Sequence, residues 1–194
     1  MSPRGVAIPD LRERLFGAAE RIVARDGVAA LTSRAVTAEA DCAKGVLHTH
    51  FGGVDAFVAE LVLDRFARAA ADAQGLPGRA GLGTVAENLA AVALGLLDSL
   101  DPRIVGLAMT SNGTSQRIRD AMAEGAPGFG AIQDALTAYL DAEVELGRLA
   151  QGTDTAATAL ALVGTVHHLL MTGWAGAPDP CEQTERLVAL LVPR

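Results

Sequence analysis

Thr32-Ser33-Arg34-Ala35-Val36-Thr37-Ala38-Glu39-Ala40-Asp41-Cys42-Ala43-Lys44-Gly45-Val46-Leu47-His48-Thr49-His50-Phe51 reads as two short helices around a turn. A hydroxyl at Thr32 or Ser33 can accept from the free amides that open a helix, and Ala35, Val36 and Ala40 form the inward face of that helix. Asp41-Cys42 is the turn. A third helix is expected at about 43–50, stopped by Phe51-Gly52-Gly53. On it Lys44, Gly45, His48 and Thr49 share one face by i, i+4 spacing, while Leu47 and Phe51 share another.

Upstream, Leu11, Leu15, Ala18, Ala19, Ile22 and Val23 recur at helical spacing until Asp26-Gly27. Downstream, a helix at 54–74 carries Phe57, Val58, Leu61, Val62 and Phe66 on one face. A short helix presented by two others fits the major groove of DNA. Lys44, His48, Thr49 and the neighbouring His50 and Ala43 are then placed to meet phosphates or base edges, and Gly45 leaves room for close backbone approach. Thr32, Ser33 and Arg34 open the preceding helix, where free amides and a positive dipole end attract phosphate.

Charge is distributed to suit this. The net charge of the 194-residue chain is −7, which argues against a simple nucleic-acid binder. Residues 1–52, however, hold seven basic and six acidic residues, against nine and seventeen in 53–194. Any DNA contact must come from the first part, and its basic excess is small.

Hydrophobic residues make up 50% of the chain and aromatic ones only 4%, so the apolar mass is alanine, leucine and valine, which favours helices. Gly75-Leu76-Pro77-Gly78-Arg79-Ala80-Gly81-Leu82-Gly83 is the clearest linker. Thr84-Val85-Ala86-Glu87 has capping-box spacing, and Asp101-Pro102 and Asp179-Pro180 are cap-plus-proline helix starts. Helices are expected near 84–100, 102–111, 115–124, 129–147, 154–173 and 180–192, with no strand and no internal repeat. The fold class is therefore all-α: an N-terminal three-helix DNA-binding domain at 1–53, then a second helical domain at 54–194, joined through the helix at 54–74, to which only a family resemblance assigns ligand binding and dimerisation.

Several other classes are excluded. Cys42 and Cys181 form no framework and show no metal spacing, and read as reduced thiols of a cytoplasmic protein. Asp10 and Glu13 follow Arg4 with no apolar signal core, so export is not expected. Residues 155–178 lack Asp, Glu, Lys and Arg, yet they include Thr155, Thr158, Thr165, His167, His168 and Gly164 and end in Gly-Ala-Pro-Asp-Pro, so a buried helix is preferred to a membrane span. No nucleophile sits beside a base and no paired carboxylates or metal cluster stand out. The glycine-rich segment lacks the lysine-hydroxyl ending of a phosphate loop and follows a helix, so no enzyme and no cofactor is expected.

At 31–36 and 40–51 the sequence resembles the TetR family of one-component transcriptional regulators. Ala40 to Phe51 is similar to the family's turn and recognition helix, with Lys44-Gly45 followed by Leu47, His48 and then His50-Phe51, and Leu31-Thr32-Ser33-Arg34-Ala35-Val36 is similar to its second-helix opening. The likeness is strong over 11–66, and Gly147-Arg148-Leu149 before the helix at Asp154 fits the regulatory domain more loosely. The resemblance implies a homodimer joined through its last two helices. It further implies a palindromic double-stranded DNA operator and a small-molecule effector that shifts the fourth helix, with repression favoured over activation. Four positions depart from the family pattern: Asp41 stands for the turn glycine, Ala43 for the hydroxyl cap, His48 for tyrosine and Val54 for a basic residue. Each weakens non-specific attraction, so a low salt dependence is expected. The departures at Asp41, Ala43 and Val54 also leave open a helical dimeric module that binds small molecules or proteins and has lost operator binding.

In the second domain Met109, Met122, Phe129, Tyr139 and Trp174 are the bulky or polar-tipped groups available to an effector cavity, expected to be hydrophobic, or else to ordinary packing. His167 and His168 point about 100° apart on a helix, one toward a ligand cavity and the other toward the dimer interface, unless both are satisfied core groups. His48 and His50 diverge by about 200°, which makes two-point metal ligation poor; one groove-facing and one packed or backbone-bonded histidine is the reading. Cys181 is expected to be buried.

Overall fold

An alanine- and leucine-rich chain with few aromatics buries its apolar stripes helix against helix, and the computed structural model, which describes residues 8–172 and 178–192, shows this architecture. Among the described residues there are ten α-helices and no strand. They are α1 (Ile8–Asp26), α2 (Ser33–Glu39), α3 (Val46–Phe51), α4 (Val54–Ala73), α5 (Val85–Ser99), α6 (Pro102–Gly106), α7 (Asn112–Ala123), α8 (Phe129–Glu145), α9 (Thr155–Met171) and α10 (Pro180–Leu191). The chain divides into two compact units, one built from the chain up to Val62 with Gly106–Asp120, the other from Leu63–Val105 with the chain from Ala121 onward.

The first unit is organised by aromatic packing. Leu15, Phe16, Ala18, Ala19, Ile22 and Val23 of α1 are buried, as are Val36 of α2, Leu47 of α3 and Phe57, Val58, Leu61 and Val62 of α4. Phe57 meets Phe51 edge-on at 5.0 Å and packs against Phe16 with the rings tilted at 5.5 Å. Burial of each such ring stabilises the unit by about 2–3 kcal/mol before edge-to-face terms. The guanidinium of Arg12 lies 4.8 Å from the Phe16 ring centre and pairs with Glu60 of α4. At the start of α4 the Asp55 carboxylate accepts from the Ser111 hydroxyl at 3.1 Å, and Ser111 Oγ in turn accepts from the Thr114 amide at the start of α7. That side-chain cap starts α7 at Asn112, three residues before the start expected from the sequence. The helix expected over 102–111 instead breaks at Gly106 into α6 and a 3-10 turn, Leu107–Met109.

In the second unit α8 packs along α9, and α5 packs on α9 and α10. The Thr84–Glu87 capping box is fully formed, and Asp154 and Asp179 cap α9 and α10 through their side chains. Leu89, Ile132, Leu136, Leu140, Ala159 and Val166 are fully buried. The segment 75–83 is no loose linker. Leu76 is buried, Pro77–Arg79 forms a 3-10 turn, and the Gly81 amide donates to Glu143 Oε1 at 3.2 Å. Asn88 Nδ2 donates to the Leu82 carbonyl at 2.7 Å, and Arg148 donates to the Gly83 carbonyl. Glycine there lets the backbone lie flat on the end of α8, which a composition-based reading takes for slack. No described helix is long and apolar enough to cross a membrane.

Candidate nucleic-acid interface

Thr32 caps α2, accepting from the Ala35 amide at 3.1 Å. The helix closes with the Asp41 amide donating to Ala38 O at 3.2 Å and the Cys42 amide donating to Thr37 O at 2.8 Å. This pair of bonds is a Schellman closure, which needs a left-handed residue at its centre. Asp41 fills that place with φ 50°, the one positive φ outside glycine among the described residues. A glycine-like turn is thus made without glycine.

The entry to α3 differs from the sequence reading. The helix begins at Val46, so Lys44 and Gly45 precede it in a turn closed by the Val46 amide on Ala43 O at 3.0 Å. Alanine at 43 offers no side-chain acceptor for the first amides, and Gly45 takes the cap position with no side-chain bond. Lys44 therefore reaches out from the turn and does not share a helical row with His48. Thr49 turns its amide and its hydroxyl to the Gly45 carbonyl, each at 3.0 Å. Leu47 and Phe51 anchor α3 beneath, and Gly52, with φ 79°, ends it.

What faces outward is a continuous edge: Ala43, Lys44, Gly45, His48, Thr49 and His50 are all exposed, with Thr32 and Arg34 exposed and Ser33 half-buried at the start of α2. The expectation of one packed or backbone-bonded histidine fails at His50. An α-helix this short buries only the Leu47–Phe51 stripe, so both histidines stay exposed. Among the described residues no cluster of three or more metal-ligating side chains is assembled.

Most of the head's cations are already engaged. Arg12 pairs with Glu60, Arg21 with Glu39 at 2.9 Å, and Arg25 with Asp26 and Glu39 at 2.8 and 3.2 Å. Hydrogen bonds from Arg21, then Arg25, hold the Glu39 carboxyl below its ordinary range, opposed by desolvation. Arg14 donates to the Ala40 carbonyl at 2.8 Å. Arg34 and Lys44 alone among the described basic residues of α1 to α3 have no polar partner in the fold, and both are exposed.

The residues expected around an effector scatter. Phe129 meets His167 edge-on at 5.1 Å and Phe66 at 4.9 Å, and these three are brought together. Met122 is partly exposed and covers Gly128, while Met109 is 73% exposed and belongs to the other unit. Tyr139 is fully buried, and its hydroxyl accepts from Asn88 Nδ2 at 3.0 Å. Burial pushes its phenol up to about 12; the Asn88 bond opposes the shift and Glu143 adds to it. His167 and His168 are both exposed in the chain, and so is Cys181, because α9 and α10 turn those faces away from the unit's core. Trp174 lies outside the described residues. Two grooves of this unit run elsewhere: one of about 320 Å³ between Ala86, Ala90 and Val188, and one of about 250 Å³ between Leu94, Leu97, Leu169 and Cys181. Glu143, buried at the end of α8 beside Arg148, was missed because nothing in a lone glutamate on a helix announces a backbone strap across it.

No family model of protein sequences matches this chain, and no curated protein matches it in sequence. Its fold is shared with solved structures. Salmonella enterica GusR superposes with a TM-score of 0.69 at 15% identity, over 97% of this chain and 98% of that one. A TetR/AcrR-family transcriptional regulator from Thermobifida fusca gives 0.68 at 15% identity, over 95% and 97%. The transcriptional regulator FadR from Bacillus subtilis, in complex with stearoyl-CoA, gives 0.66 at 16% identity, over 93% and 97%. The likeness is one of fold: the chain has the all-helical fold of the TetR-family regulators, as the resemblance at 31–36 and 40–51 implies.

Proposed function

We propose that this chain is a homodimeric DNA-binding transcriptional regulator of the TetR family, a repressor that leaves a palindromic operator when a hydrophobic small molecule binds its C-terminal helices. The observation that carries the reading is the exposed edge from Ala43 to His50, held on a rigid aromatic anchor and flanked by the unpaired cations Arg34 and Lys44. In the major groove His48 and Thr49 would meet base edges, Lys44 and Arg34 would meet phosphates, and the Thr32-capped start of α2 would point its amides at the backbone. Ala43 and Gly45 carry too little side chain to hold the helix away from DNA.

Dimerisation through α9 and α10 is supported by apolar side chains left exposed there: Leu160, Met171 and Leu190. Two-fold pairing would bury this surface and place two heads about 34–36 Å apart, one turn of DNA. The effector works by population shift: it must bind the spacing that misses successive grooves more tightly than the spacing that fits. A hydrophobic effector is supported by the apolar grooves along α5, and by the stearoyl-CoA bound in the Bacillus subtilis neighbour. Phe129 and His167, which line neither of these grooves, are further effector contacts proposed for the second unit, beside Phe66.

The test is fluorescence anisotropy of the protein on DNA from upstream of its own gene and on duplexes selected from genomic fragments, each against a scrambled duplex. Binding that depends on sequence supports the reading. Equal affinity for selected and scrambled DNA would refute it and leave the helical ligand- or protein-binding module, which the exposed carboxylate of Asp41 in the turn favours.

A further inference from the structure

Arg14 reaches from α1 to the turn that aims α3. Its Nη2 donates to the Ala40 carbonyl at 2.8 Å and lies 3.9 Å from Cys42 Sγ, and that thiol donates to the same carbonyl at 3.3 Å. Between these two residues sits Asp41 at φ 50°, left-handed backbone that a residue with a Cβ enters at a cost. Arg12, Arg21 and Arg25 all neutralise carboxylates, whereas Arg14 spends its donor on a main-chain oxygen at a helix end, where acceptors outnumber donors.

We propose that Arg14 is a positioning residue for operator recognition: it clamps the Ala40–Cys42 turn in its left-handed form, and so fixes the angle of α3, without itself touching DNA. This rests on the DNA-binding reading above. A cation in an exposed position of a reading head is ordinarily assigned to a phosphate. The geometry assigns this one to the turn, and the two roles separate in measurement. A phosphate contact enters the salt dependence of binding, and a clamp does not.

The experiment compares wild type with Arg14→Ala, Asp41→Gly and the double variant, on a duplex selected from genomic fragments by the wild-type protein and on a scrambled duplex. Arg14→Ala is expected to weaken binding to the selected duplex about tenfold, on the scale of one charge-assisted hydrogen bond, with scrambled-duplex affinity unchanged. Its slope of log affinity against log salt should match wild type; a slope lower by about 1.8, one phosphate per head, overturns the proposal. Equal loss on both duplexes also overturns it, since that is the mark of a smaller folded fraction. Asp41→Gly relieves the left-handed cost, so it should improve selected-duplex binding more in the Arg14→Ala background than in wild type. Additive effects would show no clamp. Amide hydrogen exchange at Asp41 and Cys42 separates this idea from the DNA reading: both amides should exchange about tenfold faster in Arg14→Ala, whether or not any duplex binds. Unchanged exchange ends the proposal even if the protein proves a repressor.

Discussion

Replacing Lys44 by alanine tests the interface most directly, because Lys44 is exposed and has no partner in the fold. Among the described residues Arg34 and Lys44 are the head's two cations free for phosphate, so the proposed dimer offers about four contacts and a slope of log affinity against log salt of roughly −3.6. Lys44→Ala removes one contact per head and should bring the slope to roughly −1.8. If both proteins bind equally near 1 M salt, where attraction is screened away, the variant is about sixtyfold weaker at 0.1 M. Anisotropy titrations at four or five salt concentrations read both quantities, and circular dichroism should show unchanged helicity and melting. An unchanged slope would remove Lys44 from the phosphate contacts and with it the assignment of the α3 edge. A wild-type slope near −11 would refute the charge argument in another way, since it would require Arg12, Arg14, Arg21 and Arg25 to abandon their partners for phosphates.

Three other outcomes are expected. Leu190→Glu puts a charge on the exposed stripe of α10 and should convert the proposed dimer to monomer by light scattering; a dimer mass retained at micromolar concentration would place the interface elsewhere. Tyr139, the one tyrosine of the chain, should ionise near 12 instead of 10 when followed by phenolate absorbance. Its raised value means that the associated stability is complete below pH 10 and is lost as pH rises toward 12, and a midpoint near 10 with helicity intact would contradict its burial. Leu47→Ala removes the anchor of α3 and should cost about 2–5 kcal/mol in urea unfolding; a cost below about 0.5 kcal/mol would show that α3 is held by something other than this side chain.

The N-terminal helical head was largely legible because its signals are local. The Thr32 cap, the Asp41 turn and the Leu47–Phe51 stripe each follow from two or three neighbouring residues. The start of α3 was misplaced for an equally local reason. Periodicity carries no information about whether residues 43–45 join the helix, and with alanine at 43 the first amides lose a side-chain acceptor. Farther along, the failures are all long-range. Glu143 becomes a buried acceptor only because Gly81, 62 residues away, lays its amide on it. Ser111 advances α7, and Asp55 from 56 residues upstream holds Ser111 in place. The exposure of His167, His168 and Cys181 depends on which faces of α9 and α10 the rest of the unit covers, and in α9, which lacks Asp, Glu, Lys and Arg, helical spacing does not mark a face.

An acidic protein can still bind DNA if the distance over which charge acts is compared with the distance over which it is distributed. At physiological salt the Debye length is about 8 Å, so carboxylates more than a turn or two of helix from the phosphates contribute little. What counts is the charge within reach of the groove, and there the ion pairs decide. Arg21, Arg25 and Glu39 are neutral as a group apart from one charge, which Asp26 offsets, and Arg12 is offset by Glu60. On the proposed reading the described head would meet DNA with Arg34, Lys44 and the charge of Arg14, which a carbonyl bond does not neutralise, set against the exposed Asp41, a local excess of two positive charges. Non-specific affinity built on so little is low, and any duplex this protein holds tightly must be held through base edges at His48 and Thr49 and through the fit of α3 in its groove. A large ratio of specific to non-specific binding is therefore a consequence of how the arginines of α1 are spent, and a small ratio would mean that the edge does not read sequence at all.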